Sequence, residues 1–191
     1  RVEVAVLFSD LRGFTRYSEG TQPDALIREL NAYLDAVVTA VHAHGGVVDK
    51  YIGDAVMAVF GLPGAIGDEA SRAIRAAEAM QEALSAHNRT REAAGLTPLR
   101  QGIGVHYGTV VAGPVGNAER VQYTVLGDTV NVAARLESAT KEAGVDVLIS
   151  GAAVARATSE GVPVPDLQRG ESLELRGRIE PIATWSLLTR P

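Results

Sequence analysis

Helical stretches in this sequence are separated by pairs of short β-like runs, not by single ones, and that order restricts the fold more than any other feature. Residues 2–8, VEVAVLF, are apolar and rich in β-branched side chains, the pattern of a central strand. Residues 23–44 follow a helical period through Ala25, Leu26, Leu30, Tyr33, Leu34, Val37, Val38 and Val41, and Gly45-Gly46 ends the run. Residues 47–51 and 55–60 are short β-like runs joined through Ile52, Gly53 and Asp54, which reads as a hairpin. Residues 68–94 predict a second long helix with Ile74, Ala77, Met80 and Leu84 facing inward. Residues 100–107 and 109–112 are expected to form another hairpin around Gly108, and the glycine-rich segment 113–117 a turn-rich excursion. This is the βαββαβ order of a ferredoxin-like core in an α+β fold, extended by C-terminal strands and helices. The extension comprises strands near 145–149, 173–175 and 182–187, a short helix over 151–157 and a proline-rich loop over 161–166.

Residues 122–137, QYTVLGDTVNVAARLE, predict a strand, a glycine turn at Gly127 and a helix capped by Asp128. Val132, Ala133, Leu136 and Ala139 make one apolar stripe. Asn131 and Arg135 are four apart on a different face, and a hydrogen-bonding amide above a fixed cation suits an anionic ligand. A surface Asn and a solvated Arg fit the same spacing. Asp10 leaves a buried strand just before a glycine turn, where an acidic residue serves as a turn cap or as a metal ligand. Asp54 sits at a hairpin tip and Lys50 near the end of an otherwise apolar strand. His42 and His44 are two apart, on different helix faces, which fits charge at a helix C-terminus better than a metal site.

Composition narrows the function classes. The chain has 191 residues, 46% hydrophobic and 21% charged, with no cysteine, so thiolate catalysis, Cys-ligated zinc and disulfides are excluded. A net charge of −5 argues against a nucleic-acid footprint, while leaving room for a local cationic pocket. No apolar run is long enough for a membrane span, so no membrane contact is expected of this region. The start at Arg1, running almost directly into a strand, leads to the expectation of one catalytic domain, residues 1–191, excised from a longer cytoplasmic protein with an upstream regulatory domain.

Two carboxylates at strand ends, together with Lys50, Asn131 and up to three arginines, form a constellation able to hold cations and a triphosphate. At this point the sequence resembles the class III nucleotidyl cyclase catalytic domains along essentially its whole length. The resemblance is carried by FSDLRGFT (8–15), KYIGDAVMAVF (50–60), GIGVHYGTVVAGPVG (102–116), YTVLGDTVNVAARLE (123–137) and LRGR (175–178). It implies metal binding by Asp10, Asp54 and the Leu11 carbonyl, and reading of the purine base by Lys50 and Thr124. It also implies transition-state roles for Asn131 and Arg135 and substrate contacts by Phe14, Thr15 and Arg176. Arg176 stands where family members usually carry Lys, and Arg12 and Arg178 are candidate auxiliary phosphate contacts.

The activity so implied is an adenylyl cyclase that converts ATP to 3′,5′-cyclic AMP and pyrophosphate with two divalent cations, Mg²⁺ or Mn²⁺. The cations would lower the pKa of the 3′-hydroxyl and neutralise the leaving group. The general base stays open among bulk solvent, metal-bound water and Asp10. Adenine offers an acceptor at N1 and a donor at N6, which Lys50 and the Thr124 hydroxyl can meet, whereas guanine reverses both. Thr124 departs from the commoner Asp and resembles bicarbonate-responsive adenylyl cyclases, so bicarbonate is an expected regulator. The family shares its sites across a head-to-tail dimer, so a homodimer is expected. The alternatives are a catalytically silent nucleotide-binding or dimerisation module and a guanylyl cyclase.

Overall fold

The computed structural model describes residues 1–64, 66–174 and 180–188. The element order is β1 (Val2–Leu11), α1 (Phe14–Glu19), α2 (Pro23–Ala43), β2 (Val47–Ile52), β3 (Ala55–Phe60), α3 (Glu69–Ala93) and β4 (Gln101–Gly116). It continues with β5 (Val121–Leu126), α4 (Asp128–Ala143), β6 (Val147–Ser150), α5 (Gly151–Glu160), β7 (Leu167–Arg169) and β8 (Thr184–Leu187). The strands form one eight-stranded sheet in the order β2-β3-β1-β4-β6-β8-β7, with β5 paired to β4 off that path. The first four strands therefore lie as a ferredoxin-like core, with β1 between β3 and β4 and antiparallel to both.

Alternation along β1 builds two cores. Ala5 and Leu7 face a layer made by α2, α3 and α5, where Tyr33, Val37, Val41, Ile74 and Met80 are buried. Val4, Val6 and Phe8 face the other side, where Val110, Val125 and Ala133 join them. On that second side α4 also packs through Val132 and Leu136 against Leu148 of β6. The stripe read from sequence is the buried one: Val132, Ala133 and Leu136 are each fully enclosed.

What lets α4 sit there is the absence of side chains on β4. A Cβ on Gly104 would lie 2.3 Å from the Ala133 carbonyl and 2.3 Å from the Glu137 amide nitrogen. On Gly102 it would lie 2.5 Å from the Glu137 carboxylate and from the Thr140 hydroxyl. The helix backbone rests directly on the strand backbone, and no residue larger than glycine fits between them.

Several expectations are corrected. Residues 101–116 form one continuous strand, with no hairpin at Gly108 and no excursion at 113–117. The first part of β4 pairs with β1, and Val111 to Gly116 pair with β5 through a turn at 117–120. Gly108, expected at a hairpin turn, is instead a third site of close helix approach beside Gly102 and Gly104: a Cβ there would meet the Thr129 hydroxyl at 2.7 Å. Asp128 is the first residue of α4 and not its cap; Gly127 occupies the cap position at φ 148°. The segment after Asp10 contains the short helix α1, entered through Gly13 at φ 71°. Strand β7 follows the proline-rich loop, and Leu173 makes only an isolated bridge with Ile182. Arg176 and Arg178 lie outside the described residues.

Gly104→Ala forces a methyl group between two backbones. The expected result is a loss of about 1–3 kcal/mol of stability, read as a lower urea midpoint. An unchanged midpoint would contradict the close approach.

Candidate active site

Asp10 lies near the end of β1 and Asp54 just before β3 begins, and the antiparallel pairing of Ser9 with Val56 brings these two strand ends together. The Leu11 amide donates to Asp54 Oδ2 at 3.2 Å. Asp10 Oδ1 is buried without a hydrogen-bond partner among the described residues. The Asp10 carboxyl is pushed up from 3.8 to about 7, by burial first, then by its hydrogen bond to Asp54 and by the charges of Asp54 and Glu137. The Leu11 amide opposes part of that shift.

Glu137 reaches this site from α4. Its Oε1 stands over Gly102, the ladder partner of Asp10. Burial raises its pKa as well, opposed by the Ser138 hydroxyl and by the charge of Arg12. Tyr33 of α2 lies beneath, donating to Ser9 Oγ at 3.3 Å, and burial raises its phenol above the ordinary range, with the three carboxylates adding to the shift.

Crowded carboxylates with an unpartnered buried oxygen fit a divalent cation, which would supply the missing positive charge. Among the described residues no group of three or more His, Cys, Asp or Glu is arranged to hold a metal. A cation here would therefore rest on Asp10, Asp54, backbone oxygen and the oxygens of a bound phosphate, as Mg²⁺ commonly does.

A second polar group forms where β2 meets β5. Val48 pairs with Ala58 and Lys50 with Met57, so Asp49 is the extra residue of a β-bulge. In a regular strand, neighbours face opposite sides; the bulge lets Asp49 and Lys50 meet, at 3.2 Å from Nζ to Oδ2. The same Oδ2 accepts from the Thr124 hydroxyl at 2.7 Å, and Gln122 donates to the Asp49 carbonyl at 3.2 Å. Lys50 and Thr124, 74 positions apart in sequence, thus converge on one oxygen that the sequence reading had not singled out. The signal available was an acidic residue directly before Lys50 in an otherwise apolar strand.

Asn131 is exposed and Arg135 half-buried on α4. Among the described residues neither has a hydrogen-bond or ion-pair partner, which leaves both free for a ligand. Phe14 and Thr15 open α1, so their amides belong to the donors that a helix start leaves unsatisfied. Arg12 is differently engaged: its Nη1 pairs with Asp146 at 3.1 Å and its Nη2 donates to the Val145 carbonyl. It ties the loop before β6 to the end of β1. A cleft of about 610 Å³ between α3 and the β6–β8 region is lined in part by Val145 and Asp146 but by none of Asp10, Asp54, Lys50, Thr124, Asn131 and Arg135.

Comparison with known proteins identifies the family. The family model for the adenylate and guanylate cyclase catalytic domain matches residues 1–189, and the chain belongs to that family. It is 44% identical to adenylate cyclase 1 of Rhizobium meliloti (strain 1021) over 82% of the chain, and 43% identical to an adenylate cyclase of Anabaena cylindrica over 79%. The matched regions span 24% and 30% of those relatives' lengths. Among solved structures, the adenylyl cyclase CyaB from P. aeruginosa superposes with a TM-score of 0.89 at 30% identity, covering 99% of this chain and 95% of that one. The guanylyl cyclase Cya2 superposes at 0.82 with 33% identity, covering 97% and 91%. The fold is that of the class III cyclases, and overall likeness alone does not choose the base.

The raised Asp10 pKa makes a signed prediction for metal-free protein. The favourable state is fully present below the unfolded value of 3.8 and is lost as pH rises through about 7. Asp10→Asn should therefore melt at a higher temperature than wild type above pH 7 in EDTA, with the two converging near pH 4. Equal melting at pH 8 would count against a crowded carboxylate pair.

Proposed function

We propose that this domain is an adenylyl cyclase, joining the ribose 3′-oxygen of ATP to its own α-phosphorus with release of pyrophosphate. The observation that carries the choice of ATP is the meeting of Lys50 and Thr124 at one carboxylate. Lys50 donates to adenine N1, and the Thr124 oxygen accepts from the N6 amine. Guanine would set its N1–H against an ammonium, and each unpaired group costs about 1–3 kcal/mol.

Asp10, Asp54 and the Leu11 carbonyl would hold two Mg²⁺ or Mn²⁺ ions, which when bound supply Lewis-acid activation of the 3′-oxygen and neutralise the leaving pyrophosphate. Asn131 orients the ribose, and Arg135 places its guanidinium against the α-phosphate as charge builds on five-coordinate phosphorus. The amides of Phe14 and Thr15 face the phosphates from the start of α1. A silent binding module is disfavoured because both aspartates and both α4 residues are retained.

The reading includes a site shared between two copies of the chain. The β4–β5 arm exposes Val111, Val121, Tyr123 and Leu126, and the β2–β3 tip exposes Tyr51 and Ile52. That much exposed apolar surface on two neighbouring hairpins is what a second copy would cover.

Turnover of ATP and GTP with Mg²⁺ or Mn²⁺ should give cyclic AMP in clear excess over cyclic GMP. Asn131→Ala or Arg135→Ala should each lower kcat about 100-fold with little change in melting, as neither side chain has a partner to lose among the described residues. No cyclic product from either nucleotide, from a dimeric sample, would overturn the reading. Mixing Asp10→Ala with Asn131→Ala should restore activity, since one heterodimer site is then intact. Heterodimers that form and stay inactive would refute the shared site.

A further inference from the structure

One carboxylate oxygen holds both base-reading residues, and a carboxylate in its ionised form can only accept. Asp49 is nearly enclosed, its side chain 6% exposed, and Thr124 is 4% exposed. With so little water at hand, the Thr124 hydroxyl commits its single proton to Asp49 Oδ2 at 2.7 Å. What Thr124 can still present to a base edge is a lone pair. The ammonium of Lys50, held 3.2 Å from the same oxygen and about a third exposed, keeps two further N–H donors for the base.

We propose that Asp49 is the positioning residue that makes this pair specific for adenine. A threonine hydroxyl is by itself ambivalent: it can accept from the N6 amine of adenine or donate to the O6 carbonyl of guanine. Asp49 removes the second option by taking the proton. It also sets the ammonium beside that lone pair, so the two residues offer one acceptor and one donor side by side. That arrangement complements the N6–N1 edge of adenine and opposes the O6–N1 edge of guanine.

The β-bulge is the structural device. In a regular strand Asp49 would point to the sheet face opposite Lys50, and one carboxylate could not meet both Lys50 and Thr124. The Gln122 amide, which donates to the Asp49 carbonyl at 3.2 Å, pins the bulge to β5. Asp49 itself touches no nucleotide in this account; it acts through Thr124 and Lys50.

This inference deepens the adenylyl cyclase reading and rests on it, so its test uses binding rather than turnover. The probes are α,β-methylene ATP and α,β-methylene GTP, which cannot expel pyrophosphate, titrated calorimetrically in Mg²⁺ onto wild type and variants. Asp49→Ala frees the hydroxyl, and the preference for the adenine analogue should fall about 10-fold or more. Asp49→Asn retains a carbonyl oxygen facing both donors and should keep the preference within about 3-fold. In a Thr124→Val background, Asp49→Ala should change the preference by less than about 2-fold, because the hydroxyl it controls is gone.

Equal weakening of both analogues by Asp49→Ala would mean a merely structural residue and overturns the proposal. So does an unchanged preference, or an undiminished effect in the Thr124→Val background. A wild type without preference overturns it at the outset. Should the alanine variant fail to fold, Asp49→Ser takes its place with the same expected fall, an unchanged preference again overturning the proposal, and Thr124→Val must lower the preference while Asp49→Asn keeps it. Failure of the cyclase reading itself is separate, appearing as absent cyclic product from wild-type protein with ATP.

Discussion

Contact between the backbones of α4 and β4 is the constraint on which this domain depends. At Gly104 the helix lies so near the strand that a single methyl group would overlap the Ala133 carbonyl and the Glu137 amide. That approach fixes the height of α4 over the sheet. It therefore fixes how far Asn131 and Arg135 project, and it carries Glu137 over Gly102 into the field of Asp10. Three helices cover the other face of the sheet through ordinary side-chain packing, whereas α4 takes its position from a strand with side chains removed.

The polar groups of the site fall into two differently balanced sets. Around Asp10 and Asp54 negative charge is in excess, and one carboxylate oxygen is buried without a partner. Such a cluster is destabilising by itself and becomes favourable when a cation enters. Around Asp49 the balance is already made, one carboxylate against an ammonium and a hydroxyl. The first set is suited to bind something charged, and the second to hold two side chains in one orientation.

The long elements were legible in sequence because their periods are strong. Both long helices, the β2–β3 hairpin and the buried stripe of α4 appear within a residue or two of where the pattern sets them. Short elements such as α1 and β7 carry too few residues for a period to register. Gly108 of β4 misled for a physical reason. A glycine that breaks a strand and a glycine that admits a helix look alike until the helix is in place.

By itself the sequence determined the ferredoxin-like order of strands and helices and the residue types available for chemistry, together with the motifs that place the chain among the cyclases. These are properties of local pattern, set by backbone propensity and by which side chains can be buried. Tertiary structure alone decided which of those residues meet. Asp49 is unremarkable beside Lys50 in the chain, and only a bulge in β2 and the passage of β5 bring it to Thr124, 75 positions away. A register shift of one residue in a strand reverses the direction of a side chain, and that shift depends on the neighbouring strands rather than on the segment itself.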